Sequence, residues 1–214
     1  MDRRNSWAAV AAASVLTVVA VLAISGTPRA QLDTVDAATT SQRWGAVADT
    51  YVIAERPAAT PGTESKLTAA QWPDWHTRAY VRFRVGELRT DLPIVSVTVR
   101  FTFQRTQSQP RLTELRTVPS NSWSESTTSY QNRPATGDVV ATAGDPAGAS
   151  TVSFDVTRQV RAAGSYSFAV VNRTADSGFV VNSREYGSGV PRLTVTYGAA
   201  PSASPTASPS GAPT

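Results

Sequence analysis

The sequence contains no cysteine, a single histidine (His76) and a single lysine (Lys66). Without cysteine the chain can form no disulfide, no thiol nucleophile and no cysteine-based zinc site. A Ser-His-Asp triad would have to use His76, and the chain has no Gly-x-Ser-x-Gly elbow. A histidine-based zinc site would need several imidazoles. These absences exclude thiol catalysis and the common zinc sites, and they leave His76 as the one histidine that a serine triad could use.

Charge is also scarce, since charged residues make up 17% of the chain, with 20 Lys and Arg against 16 Asp and Glu. The arginines are scattered singly along segments with strand-like alternation. A nucleic-acid-binding protein more often clusters them on one face or one helix. We therefore expect a solvated, arginine-rich surface and no nucleic-acid partner.

The N-terminal 30 residues have the pattern of an export segment. Arg3 and Arg4 precede residues 7–24, which carry no charge. This pattern predicts either a signal peptide cleaved after Ser25 or an uncleaved membrane anchor. The protein is then expected outside the cell, secreted or anchored at its surface. Contact with a membrane is expected only through this segment, if it is uncleaved.

Composition divides the rest of the chain into three parts. Residues 31–43 are weakly patterned and are interpreted as a spacer. Residues 44–198 have enough apolar positions for one packed domain. Residues 199–214 consist of Ala, Pro, Ser, Gly and Thr, which cannot bury a core, so they are predicted to be a disordered tail.

Alternation of apolar and polar residues dominates the middle of the chain. Residues 78–85 place Ala79, Val81, Phe83 and Val85 on one face and arginines on the other. Similar or shorter segments occur at 50–54, 66–70, 95–103, 113–118, 139–142, 151–156, 165–171, 179–182 and 192–197. Val95, Val97, Val99, Phe101 and Phe103 are assigned to the buried face of their segment. About nine or ten such strands predict an all-β fold, a jelly-roll-type antiparallel β-sandwich. A single helical turn is predicted between Thr157 and Gly164.

Six segments together resemble a known family. They are "ADTYV" (48–52), "RAYVRFRV" (78–85), "VSVTVRFTF" (95–103), "WSESTTSYQNRP" (123–134), "FDVTRQV" (154–160) and "SREYGSGVPRLTVTY" (183–197). In order and spacing they are similar to the DNRLRE domain, also described as carbohydrate-binding module family 96. The resemblance implies a non-catalytic jelly-roll module of secreted bacterial proteins that binds acidic polysaccharides such as alginate or pectin.

The polar segment at 123–134 is the most specific of these motifs. Its structural motif residues are Trp123, Glu125, Tyr130, Asn132 and Pro134, with Tyr130 where the family has a second Trp. The rings of Trp123 and Tyr130 can be buried while their N–H and O–H groups form hydrogen bonds. Glu125 and Asn132 can accept hydrogen bonds from N–H groups of the loop backbone. We interpret the segment as a plug over one end of the sandwich. The alternative is that its rings stack on a sugar.

Carboxylates in the same motifs allow a metal. Glu125, with Asp49, could ligate calcium, which β-sandwich sugar-binding modules often hold for structure. Arg184 and Glu185 are interpreted as a buried or half-buried ion pair, with a sugar-binding or calcium-binding carboxylate as the alternative. No other cofactor is expected.

The segment "QWPDWHTR" (71–78) is the candidate ligand site. Two tryptophans in four residues are unusual for a loop, and Pro73 would present them at little ordering cost. Indole rings pair with the C–H faces of sugars, and arginine suits a uronic carboxylate. The predicted ligand-binding residues are aromatic or cationic: Trp72, Trp75, His76, Arg78, Arg82 and Arg84. Alternatively, the rings fold back onto the sandwich.

Three functions follow from these patterns. The first is a secreted or surface-tethered, non-catalytic and monomeric module whose partner is a polysaccharide. The second is a structural or adhesive module of the cell envelope. The third is a polysaccharide lyase or hydrolase, which is disfavoured because His76 and Lys66 stand alone as candidate bases.

Overall fold

The computed structural model describes residues 39–105, 111–145 and 148–199. The predicted export segment, most of the predicted spacer and the tail from residue 200 onward lie outside the described residues. Within the described ranges, no helix combines the length and the apolar character needed to cross a membrane.

Ten β-strands account for the regular structure of the described residues, together with one short 3-10 helix (Arg184–Tyr186). The strands are β1 (Thr40–Ile53), β2 (Lys66–Trp72), β3 (Trp75–Val85), β4 (Ile94–Thr102), β5 (Arg111–Val118), β6 (Val139–Asp145), β7 (Thr151–Asp155), β8 (Gly164–Asn172), β9 (Ser177–Asn182) and β10 (Arg192–Tyr197). The prediction of an all-β antiparallel sandwich is confirmed. The predicted helical turn is a single turn closed by the Val160 N–H donating to the Val156 carbonyl at 3.2 Å.

The strands form two antiparallel sheets. Sheet 1 has the order β1-β10-β4-β7, and sheet 2 has the order β6-β5-β8-β3-β1, with β2 pairing with both β3 and β9. Strand β1 belongs to both sheets, because residues 40–45 pair with β10 and Ala46 onward pairs with β3. A bulge between Ala46 and Ala48 marks the change. Such a corner strand ties the two layers together. Its first residues lie in the segment interpreted as a spacer.

The main core lies between the sheets. It is built from alternate residues of nearly every strand, and Phe101 contacts Phe154 and Phe179 edge to face at centroid distances of 6.1 and 5.8 Å. One predicted core position was wrong. Val95 is 59% exposed, while Ile94 packs against the core. The reason is a register shift beside Tyr197, which disturbs the alternation at the start of β4.

A second, smaller apolar cluster covers the outer face of sheet 2. It contains Ala48, Val52, Tyr80, Val118 and Ala169, with Trp123 from the β5–β6 loop packed on them. This loop is the polar segment of the sequence analysis. The predicted position of the plug, over one end of the sandwich, is therefore wrong: the loop lies on a sheet face. The centre of sheet 2 is buried on both sides.

Candidate functional site

Trp123 holds the β5–β6 loop on sheet 2. Its side chain is only 8% exposed, and its ring lies 6.3 Å from that of Tyr80. Its Nε1–H donates to Ser167 Oγ at 3.0 Å, and Ser167 Oγ donates to Asn121 Oδ1 at 2.7 Å. The indole is thus buried with its one polar group satisfied, as a stable aromatic plug requires.

Arg82 belongs to this loop rather than to an open surface. Its Nη1 donates to the carbonyls of Asn121 and Trp123 at 2.7 and 2.8 Å, and its guanidinium lies 5.0 Å from the Trp123 ring centroid. The neighbouring Arg84 is exposed, and its side chain makes no hydrogen bond or ion pair with the described residues. Arg82 and Arg84 of β3 therefore have different environments, although the sequence pattern treats them alike.

The remaining motif residues close the loop on itself. Asn132 Oδ1 accepts hydrogen bonds from the Ser129 N–H and Oγ at 2.7 and 3.2 Å, while its Nδ2 donates to the Thr127 carbonyl at 2.9 Å. Tyr80 donates its hydroxyl proton to the Pro134 carbonyl at 3.2 Å. Tyr130 packs against the second cluster, with the Arg133 guanidinium over its ring. These contacts support the structural interpretation of the motif.

Arg184 contacts three carboxylates that the sequence motifs contain, those of Asp49, Glu125 and Glu185. Its Nη1 lies 3.0 Å from Glu125 Oε2, and its Nε lies 3.3 Å from Glu185 Oε1. Its backbone N–H donates to Asp49 Oδ2 at 2.9 Å, and Glu125 Oε2 also accepts the Asp49 N–H at 3.1 Å. The cluster joins β1, the β5–β6 loop and the 3-10 helix, which are far apart in the sequence.

Asp49 is the member of this cluster whose carboxyl group is least satisfied by its surroundings. It is 1% exposed, and its Oδ1 accepts no hydrogen bond. Burial, followed by the repulsion of Glu185 and Glu125, raises the pKa of Asp49 to about 7, although the Arg184 N–H and charge act in the opposite direction. Below about pH 7 the neutral carboxyl group is therefore the favoured form at this position.

The calcium prediction for Asp49 and Glu125 does not fit this donor set. The described residues contain no group of three or more His, Asp or Glu side chains arranged to hold a metal ion. Calcium needs six to eight oxygen ligands. Here the carboxylates of Glu125 and Glu185 are bound to the Arg184 guanidinium, which already supplies the cation.

Trp72 and Trp75 are not on an extended loop. They are the last residue of β2 and the first of β3, they pair directly, and only Pro73 and Asp74 turn between them. The Trp72 ring lies on Gly178 so closely that a Cβ there would approach its Cζ2 to 2.2 Å. Trp75 packs against the main core. Both rings are half-buried, so they support the hairpin and expose only part of their surface.

Two open clefts adjoin this hairpin, and Gln71 and His76 line both of them. The first, of about 370 Å³, has Trp72, Arg173 and Asp176 in its wall. The second, of about 340 Å³, has Arg78 and Tyr130. His76 is oriented by Glu55, which accepts the His76 backbone N–H at 2.9 Å and lies 2.6 Å from the ring Nδ1. These two hydrogen bonds lower the pKa of the Glu55 carboxyl group.

Of the predicted ligand-binding residues, Trp72, His76 and Arg78 lie together at the clefts beside the hairpin. It places Trp75 against the core, Arg82 beneath the loop and Arg84 farther along β3. Gln71 and Arg173 also line the first cleft, and neither was among the predicted ligand-binding residues. No local signal could have found Arg173, since the β8–β9 turn reaches the hairpin only through the pairing of β2 with β9.

The sequence of the chain was compared with those of known protein families. The sequence model of carbohydrate-binding module family 96 matches residues 40–197, a range that contains every strand described above. No curated protein matches the chain. Modules of this kind bind carbohydrates without catalysing a reaction and are commonly extracellular. The chain belongs to carbohydrate-binding module family 96.

Proposed function

We propose that this protein is an exported, non-catalytic module that binds an acidic polysaccharide at the hairpin site. The hairpin site is the pair of clefts lined by Gln71, Trp72, His76, Arg78 and Tyr130. Its partner is a sugar chain that carries carboxylates. The family supplies the expectation of a sugar ligand, and the side chains of the clefts support an acidic one.

The observation that carries the proposal is the position of Arg78. It lines an open cleft together with His76, and among the described residues it forms no ion pair with a carboxylate. An arginine fork matches the two oxygens of a carboxylate, and such charge-assisted hydrogen bonds are stronger than neutral ones. A uronic acid unit in this cleft would therefore provide the anion that the protein itself does not.

The neighbouring cleft suits the neutral part of the sugar chain. Its charges are mixed, since Asp176 lies in the wall and Arg173 Nε is 3.4 Å from Glu114 Oε1. Gln71 and Asn172 add amide groups. Ring hydroxyl groups can hydrogen-bond to such side chains, and the exposed part of Trp72 can contact a C–H face.

We expect an Arg78→Gln/His76→Gln variant to bind oligogalacturonate about tenfold more weakly, or worse. The variant removes the guanidinium and the imidazole that line the second cleft and keeps the buried residues of β3. Titration calorimetry on the exported chain measures the affinity, after a glycan array has shown that acidic chains bind.

The matched control is Arg161→Gln, which removes an exposed arginine that lines neither cleft. It should bind like the parent. An unchanged affinity for the Arg78→Gln/His76→Gln variant, with an unchanged melting temperature, would show that the hairpin site does not hold the ligand.

Export is the second part of the proposal. The apolar segment at 7–24 motivates it. Fractionation should find residues 26–214 outside the cytoplasmic membrane, released or held by the N-terminal segment. Recovery of the full-length chain from the cytoplasm alone would contradict this, and N-terminal sequencing distinguishes cleavage from anchoring.

The two other functions give different results in the same experiments. A structural or adhesive module would give no signal on the glycan array. A lyase would release unsaturated oligosaccharides. The two candidate bases, His76 and Lys66, lie beside Glu55 and Glu64 respectively, at 2.6 and 3.4 Å.

A further inference from the structure

A second polar groove lies on the outer face of sheet 1, away from the hairpin. It has a volume of about 330 Å³ and crosses all four strands of the sheet. Its lining contains three arginines, three hydroxyl side chains and no acid: Arg43, Thr98, Arg100, Ser153, Arg192 and Thr194. We call this surface the arginine face.

The register of the strands places two of these arginines side by side. Arg192 of β10 pairs directly with Arg100 of β4, and Arg43 of β1 pairs with Thr194 in the next row of the same face. Directly paired side chains have Cβ atoms about 5 Å apart, and like charges in such pairs are destabilising. The folded protein therefore concentrates positive charge here at a cost to its own stability.

No acidic side chain in the described part of the chain neutralises this charge. Arg43 and Arg192 make no side-chain hydrogen bond or ion pair there, and Arg100 only donates to Thr151 Oγ1 at 3.3 Å. The acid in the adjoining row is Asp155, which pairs with Thr98 across the sheet. Its Oδ1 accepts hydrogen bonds from the N–H and hydroxyl of Thr157 at 2.8 and 2.6 Å.

The groove also has open space beside the arginines. Gly45 pairs with Arg192, and a Cβ at Gly45 would meet nothing within 4 Å. A glycine inside a strand often marks a place where another molecule approaches the backbone. Arg43, Arg100 and Arg192 are all exposed, so their guanidinium groups can be reached from this space.

We infer that the arginine face is a second binding site for a carboxylate-bearing polysaccharide chain. The inference rests on the proposed function for the class of ligand, but on a different surface for the site. The arginines would hold carboxylates, and Thr98, Ser153 and Thr194 would contact hydroxyl groups along the same chain. A bound anion between Arg100 and Arg192 would also remove the repulsion within the pair.

The test compares an Arg100→Gln/Arg192→Gln variant with an Arg158→Gln/Arg161→Gln control. Both lose two exposed positive charges, and the control residues lie outside the groove. The probes are oligogalacturonate and the same oligomer with its carboxylates methyl-esterified. Calorimetry on the parent should show two sites for short oligogalacturonate and no comparable binding of the ester. The Arg100→Gln/Arg192→Gln variant should lose one site, with binding to that face weakened about tenfold or more, while the control keeps both.

Thermal melting gives an independent result. At low ionic strength the Arg100→Gln/Arg192→Gln variant should melt above the control, because it no longer contains the like-charged pair. Oligogalacturonate should raise the melting temperature of the parent by more than that of the variant.

Four outcomes would overturn the inference. They are unchanged stoichiometry and affinity in the variant, equal loss in the control, preference for inorganic polyphosphate over oligogalacturonate, and a dimer in sedimentation that covers this face. The proposed function fails separately, through the Arg78→Gln/His76→Gln variant. If that variant alone loses binding, the hairpin site stands and the arginine face does not.

Discussion

Replacing Trp123 with alanine is expected to lower the free energy of unfolding by about 3–5 kcal/mol. The ring is almost fully buried on the outer face of sheet 2 and packs on Tyr80. Its loss would leave a cavity and would deprive Ser167 of a hydrogen-bond donor. It would also remove the aromatic surface beneath the Arg82 guanidinium. The β5–β6 loop would then lose its main attachment to the sheet.

Chemical denaturation measures this effect. Trp123→Phe keeps most of the buried ring but loses the indole N–H, so it should cost less than Trp123→Ala. Tyr186→Ala is the control for an aromatic side chain that is 46% exposed, and it should change stability by less than about 0.5 kcal/mol. A Trp123→Ala protein that melts like the parent but no longer binds glycan would show that the loop is a binding surface and not a plug.

Stability is expected to depend on pH through Asp49. The pKa of Asp49 in the folded protein is about 7, above its value in an unfolded chain, because the side chain is buried beside Glu185 and Glu125. The folded state therefore holds this proton more tightly. The resulting stability is fully present below pH about 3.9 and is lost as the pH rises through about 7. The full loss is roughly 4 kcal/mol.

Asp49→Asn should remove this dependence. An amide can still accept the Arg184 N–H, and it carries no charge at any pH. The variant should match the parent near pH 4 and become progressively more stable than the parent as the pH rises to 8. Urea denaturation across this range measures the difference. Asp91→Asn is the control, since its hydrogen bonds to Arg89 lower the pKa of that exposed carboxyl group. A constant difference between parent and Asp49→Asn at every pH would contradict the raised pKa.

The strands were predictable because their signal is local. In β3, Ala79, Val81, Phe83 and Val85 alternate with polar or charged neighbours, and side chains in a strand alternate between faces whatever lies around them. The same rule could not predict the burial of Tyr80, whose side chain lies on the outer face of the sheet but is fully buried. Its burial depends on a loop that begins nearly forty residues later in the chain.

The candidate sites were predictable only in part, for the same reason. Trp72, His76 and Arg78 lie within seven residues of one another, so their proximity could be inferred from the sequence. The cluster of Asp49, Glu125 and Arg184 could not, because its members come from three distant segments. Their types suggested an ion pair or a metal, and the contacts favour the ion pair.

The sequence by itself determined the all-β class, the faces of most strands, the exclusion of cysteine chemistry and the family. The first three depend on residue type and short-range periodicity, and the family follows from the resemblance of several motifs to known members. Only the tertiary structure decided that Arg82 lies beneath a loop, while Arg100 lies on the other sheet beside Arg192. Strand pairing and register set those positions, and they arise from contacts between segments far apart in the chain. Local patterns show which face of a strand is polar, but the fold determines which polar faces meet.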